Sequence, residues 1–245
     1  MIMGKYTIKN GQEIIVRRAK KEDIPGILKL YECVKITPDN LEIKLNKEDE
    51  NSFVNRGGFF EILTNKDLEK IIYDDRYIVL VSVLIKNKDE EINSCLYCKL
   101  DVESNWKQKS FDILDIKQKK FEKALIENKV CTAVEHAIIP SVQSRGVAYP
   151  VIFEMYRYLI NCEKLFVMLQ IYTLKGVFFR GKYNSIYLPN KRSIILNEKL
   201  GAYFVASYDI PKKRVGENEI EIKSDLYILD LEYAIGILRK KLNIL

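Results

Sequence analysis

The chain has 245 residues, 47% of them hydrophobic and 11% aromatic, which is enough to bury a sizeable core as one domain spanning 1–245. A formal net charge of +6 is modest for that length; it suits an anionic small ligand and does not require a nucleic acid partner. Five cysteines without a repeating spacing exclude a disulfide framework, and no run of about 18 uncharged apolar residues offers a membrane span, so a cytoplasmic protein is expected.

Residues 14–18 read as a first strand. Residues 22–35 read as an amphipathic helix with Ile24, Ile27, Leu28 and Tyr31 on one face and Glu22 or Asp23 at its start, where a carboxylate is favoured. Thr37-Pro38-Asp39 stops that helix and is placed to cap another running to about residue 54. Arg56-Gly57-Gly58-Phe59-Phe60 is a turn followed by aromatics, and Thr64 or Asn65 caps a further helix. Residues 77–85 are a continuous apolar run, the second strand; 86–91 form a polar hairpin loop, and 92–102 return antiparallel as the third. The spacing of Phe111, Ile113, Leu114, Ile116, Phe121, Leu125 and Ile126 predicts one or two helices inserted over about 103–129.

Residues 130–139 are the fourth strand, β-branched and apolar. After a glycine turn comes a helix with Val151, Ile152, Met155, Leu159 and Ile160 on one face. Residues 165–172 are then a fifth strand, parallel to the fourth through a right-handed crossover. The aromatic and basic segment 173–189 fits neither period; packing on the sheet, holding a ligand and stacking on nucleic acid are its three readings. Residues 190–200 form a helix opened by an Asn190 cap and closed by Gly201. A sixth strand over 202–209, a polar turn over 211–218, a seventh strand over 219–231 and an amphipathic helix over 231–242 complete the chain. Cys95 and Cys98 form a C-x-x-C pair on a strand, where residues three apart face opposite ways, so buried thiols and no metal site are expected.

The chemistry concentrates between the fourth strand and the helix after it. A strand, a glycine turn and a helix start leave the first helix amides unpaired and aim them, with the positive end of the helix dipole, at the turn. The fitting occupant is an anion, most often phosphate. Gly146 lets a diphosphate approach the backbone and accepts positive φ, Arg145 adds a fixed charge, and the small Ala148 permits close packing.

The run Gln143-Ser144-Arg145-Gly146-Val147-Ala148 resembles the Q/R-x-x-G-x-G/A acyl-CoA signature of the GCN5-related N-acetyltransferase (GNAT) superfamily. Two further stretches are similar to the same superfamily. Residues 14–28, with Arg17-Arg18-Ala19 followed by Asp23, look like its first strand and helix. Residues 190–204, with Asn190, Ser193 and Glu198-Lys199-Leu200-Gly201, look like the segment that closes its fold. The three matches stand in order and cover most of 14–208. The resemblance implies an α+β fold of three layers, α/β/α, around a mixed, mostly antiparallel seven-stranded sheet whose parallel fourth and fifth strands splay apart.

It also implies direct acetyl transfer from acetyl-CoA to a primary amine, the acceptor being a small molecule or a protein amine. Backbone groups at Ala137, Ile138 and Ile139 would pair with the pantetheine arm of coenzyme A, the turn Gln143 to Ala148 would hold its diphosphate, and Asn190 and Ser193 would touch the arm. The base that takes the amine proton would be His136 or Glu135, neighbours that face opposite ways on the fourth strand, or a water chain. Strand alternation puts His136 with Thr132 and Val134, unless a bulge reverses it. Two residues depart from the family pattern. Asn197 stands where many members carry the tyrosine that protonates the leaving thiolate, and Pro150 removes one early helix N–H. The alternative is a non-catalytic CoA-sensing or protein-interaction module of the same fold. A homodimer through the inserted region is also compatible with the sequence.

Overall fold

The computed structural model describes residues 2–9, 11–34, 63–86, 89–102, 119–139, 146–179, 182–209, 213–215 and 218–244. Six helices are described: α1 (Ile24–Val34), α2 (Asn65–Tyr73), α3 (Lys119–Ile126), α4 (Ala148–Asn161), α5 (Lys191–Lys199) and α6 (Leu231–Leu242). A short 3-10 turn, Lys21–Asp23, leads into α1. The expected helix ending near residue 54, the turn at 56–60 and the first part of the inserted helical region lie outside the described residues.

The strands are β1 (Ile2–Thr7), β2 (Glu13–Arg18), β3 (Tyr77–Lys86), β4 (Asp89–Lys99), β5 (Val130–Ile138), β6 (Phe166–Phe179), β7 (Lys182–Pro189), β8 (Tyr203–Asp209), β9 (Lys213–Val215) and β10 (Asn218–Asp230). They form one ten-stranded sheet. Eight strands run in the order β1-β2-β3-β4-β5-β6-β10-β8, with β7 paired to β6 and β9 to β10. The expectation of seven strands is therefore corrected. The three extra strands had no readable signal: β1 is a half-exposed edge, β9 is three residues long, and β7 lies in the aromatic, basic segment that had looked irregular. That segment continues β6 to Phe179 and then returns antiparallel, Thr173 opposite Pro189 and Phe179 opposite Lys182.

The sheet is covered on both faces, so its central strands are apolar on both. Val79, Val81, Val83, Cys95, Tyr97 and Ala137 pack under Ile24, Ile27, Leu30 and Tyr31 of α1 and Leu68 of α2. Phe121 and Leu125 of α3 extend that layer over Val130, Met168 and Leu226. On the opposite face Val151, Met155 and Leu159 of α4 and Leu231, Ala234 and Leu238 of α6 cover Leu80, Leu96, Cys98, Val167, Leu169 and Leu229. Cys95 and Cys98 thus sit in different layers, both buried as free thiols.

The conspicuous residues of the first strand and helix have a structural use. Arg17 at the end of β2 forks onto Asp23 at 2.6 and 2.8 Å, and Asp23 also accepts the Lys20 N–H at 2.8 Å. The same guanidinium reaches Glu90 of β4 at 2.7 Å. Arg17 and Asp23 are buried, so this paired and hydrogen-bonded network fixes where α1 lands on the sheet. Caps bound three other helices locally: Thr64 and Asp67 form a reciprocal box at α2, Asp230 accepts the Tyr233 N–H at α6, and Gly201 closes α5 at φ +92°.

Candidate functional site

The parallel ladder between β5 and β6 runs from Val130 opposite Phe166 to Ala133 opposite Leu169 and ends there. Beyond it, β6 is paired by β7 from Thr173 while β5 stays with β4 through Ile138. The two strands separate, leaving a notch with Glu135 to Ala137 on one lip and Gln170 to Tyr172 on the other.

A β-bulge marks the point of separation. Tyr97 pairs with Glu135 but Cys98 pairs with Ala133, so Val134 is the extra residue, and it is 42% exposed. One added residue inverts side-chain alternation from there on. Cys131 and Ala133 face α4 before the bulge, and Glu135 and Ala137 face α1 after it. His136 accordingly lies on the α4 face. The simple alternation that grouped His136 with Thr132 is reversed, and the two candidate bases open onto different sides of the sheet.

Glu135 sits beside the hydroxyls of Tyr31 from α1 and Tyr97 from β4. Burial raises both phenols well above their ordinary value, and the Glu135 carboxylate adds to the rise, so both remain protonated. His136 Nε2 lies 3.1 Å from the Ser94 hydroxyl, and burial pushes the imidazole down to about 4. It is therefore neutral at pH 7. Its unfolded value is near 6.5, so between pH 6.5 and 4 the unfolded chain binds the extra proton and stability falls as pH falls. The expected loss is about 2–3 kcal/mol across that window. Urea midpoints at pH 7, 5.5 and 4.5 check it, and His136→Gln flattens this part of the pH dependence.

The described part of the turn before α4 carries the positive φ expected at its glycine. Gly146 is at φ +89°, a left-handed conformation that side chains disfavour, and among the described residues an added Cβ would meet only Lys9 Cγ at 3.8 Å. Glycine is required there by the backbone angle, not by crowding from the described residues. α4 starts at Ala148 with Val147 as a cap that offers no side-chain acceptor. Among the described residues none accepts from the Gly146, Ala148 or Tyr149 amides, and Pro150 has no N–H to offer. Val147 is buried against Ile8, Ile14 and Leu84, which anchors the turn to the amino-terminal hairpin. Ile139 donates to the Asn93 carbonyl at 2.9 Å, tying the end of β5 to β4. Gln143, Ser144 and Arg145 lie outside the described residues.

At α5 the Asn190 side chain accepts the Ser193 N–H at 3.1 Å, and Asn197 donates its amide to the Ser193 carbonyl at 2.9 Å and hydroxyl at 3.3 Å. Asn190 and Ser193 thus form the first turn of that helix, and Asn197 is tied to the same turn. Tyr31 and Tyr97 are site neighbours that the sequence reading did not single out as functional; only the bulge, invisible as a pattern, brings Glu135 to their face. No three His, Cys, Asp or Glu side chains among the described residues are grouped to hold a metal, and no described helix is long and apolar enough to cross a membrane.

No protein-family model and no curated protein sequence matches the chain. Solved structures do. The ribosomal-protein-S18-alanine N-acetyltransferase of Escherichia coli is similar at 9% identity and a TM-score of 0.51, covering 89% of this chain and 94% of its own. An N-acetyltransferase of Staphylococcus aureus Mu50 is similar at 12% identity and 0.52, over 89% and 98%. The acetyltransferase candidate yncA of Salmonella typhimurium, solved with its cofactor acetyl-CoA, is similar at 14% identity and 0.50, over 89% and 94%. These likenesses show the fold.

Proposed function

From the GCN5-related N-acetyltransferase fold of this chain, we propose that it transfers acetyl from acetyl-CoA to a primary amine, with Glu135 as the base. The observation that carries the reading is the coincidence of two features, one within β5 and one at the start of the helix that follows it. β5 parts from β6 at the Val134 bulge, and the chain goes on to a left-handed Gly146 at the start of α4, whose first amides have no acceptor among the described residues. The first accommodates a peptide-like arm beside Ala137, Ile138 and Ile139; the second suits a diphosphate at Gly146, Val147 and Ala148, a role that the sequence motif extends to Gln143, Ser144 and Arg145.

Acetyl-CoA supplies an activated thioester. The protein's part is to position it and to receive a proton, because an alkyl ammonium with pKa near ~10 is mostly protonated at neutral pH and cannot attack. Glu135 suits this role better than His136 for two reasons. It faces α1, the region between the first two family strands where acceptors of the superfamily usually bind. It also becomes neutral on taking the proton, whereas His136 would become a cation where burial already disfavours one. The amine nitrogen then bonds to the carbonyl carbon, the C–S bond breaks, the nitrogen gives up its second proton to solvent, and the thiolate takes one from solvent, the Asn197 amide being no acid.

Titration calorimetry with CoA and acetyl-CoA, followed by release of free thiol over a panel of amines, tests the reading. Micromolar binding and amine-dependent thiol are expected. Binding without thiol release would instead support a non-catalytic CoA-binding module, the reading that the Asn197 position favours.

A further inference from the structure

We propose that Tyr31 and Tyr97 act together as positioning residues that aim the Glu135 carboxylate into the notch. The inference rests on Glu135 being the base of the proposed transfer. Tyr97 is the direct cross-strand partner of Glu135, on the β4 side away from β6. Tyr31 comes from the middle of α1, which packs over β4 and β5. The two rings are almost fully buried, 1% and 4% exposed, in the same layer as Ala137, two residues after Glu135, and the Glu135 charge is felt at both hydroxyls. The bulged Val134 leaves the carboxylate at the edge of this layer, where the strands part.

A long acidic side chain has several rotamers, and without lateral partners its carboxylate would spread over them. Two phenol hydroxyls from different elements crowd it into one region, and their O–H dipoles beside the carboxylate favour the ionised form that a base needs. The other titratable groups facing this position do not replace the phenols. Cys95 is pushed up to about 12 by burial and stays a thiol. Arg17 and Asp23 neutralise each other at 2.6 Å. Tyr77 lies behind Tyr97 with ring centroids 6.5 Å apart, and Lys99 stands 6.0 Å over the Tyr77 ring, 3.8 Å from Asp101. Phenylalanine in place of either tyrosine would preserve the packing and remove only the donor.

The test is direct titration of the carboxylate in full-length protein labelled with [13C]glutamate, the Glu135 Cδ resonance being assigned by its loss in Glu135→Gln. Tyr97→Phe and Tyr31→Phe are each expected to move its midpoint up by about one pH unit, and the double variant further. In acetyl transfer to one amine, the ratio of variant to wild-type kcat/KM should fall about tenfold towards acid pH and recover at alkaline pH, with KM for acetyl-CoA unchanged. The acceptor's own titration cancels in that ratio. Unmoved midpoints in folded Phe variants would overturn the inference and leave the base assignment standing. Wild-type turnover in Glu135→Gln would overturn the base assignment instead. If Tyr31→Phe fails to fold, Tyr97→Phe decides alone.

Discussion

Replacing Gly146 by glutamate should weaken CoA binding by at least about 100-fold while the protein stays folded, every 1.4 kcal/mol being about tenfold. Two effects add. The backbone angle of φ +89° strains any side chain by about 1–2 kcal/mol, and a carboxylate above the open amides meets the phosphates with like charge where the helix dipole had favoured them. Folding should survive because, among the described residues, the added Cβ has only Lys9 Cγ at 3.8 Å as a neighbour. Gly146→Ala separates the two contributions: it carries the strain without the charge and should lose only a few-fold. Calorimetry reads the affinity, and far-UV circular dichroism the fold. Normal binding to the glutamate variant would place the phosphates elsewhere.

Glu135→Gln should lower kcat by about 10²–10⁴-fold, the usual contribution of a positioned base, with little change in acetyl-CoA affinity. Glutamine keeps the size and an acceptor oxygen for Tyr31 and Tyr97, so the fold and the notch are preserved. It removes only the ability to take a proton. His136→Gln serves as the comparison: it should leave kcat within about threefold, since that side chain lies on the α4 face bonded to Ser94. The opposite result, a crippled His136 variant and an active Glu135 variant, would exchange the roles and place the acceptor on the α4 side. Thiol release measured from pH 6 to 9 checks both.

The legible parts of this protein are those governed by local chemistry. Gly146 and Gly201 sit at positive φ where the turn demanded it, Asn190 and Thr64 cap the helices they precede, and α6 begins and ends at the residues its apolar spacing indicated. Less legible were elements stabilised by partners far along the chain. β1 and β7 lack an apolar stripe of their own and become strands because β2 and β6 offer them an edge. The bulge at Val134 left no residue-type signature at all; it arises where β5 must keep β4 while releasing β6.

Sequence by itself therefore determined the strand–turn–helix around Gly146, the order of the main elements and the identity of the two carboxylate and imidazole candidates on β5, because hydrophobic period, helix caps and glycine conformation act within a few residues. Tertiary structure alone decided that β10 inserts between β6 and β8, that the β5–β6 ladder stops at Ala133, and that Glu135, not His136, joins Tyr31 and Tyr97. These outcomes depend on hydrogen-bond register between strands distant in sequence, and a shift of one residue there reverses the face of every side chain that follows.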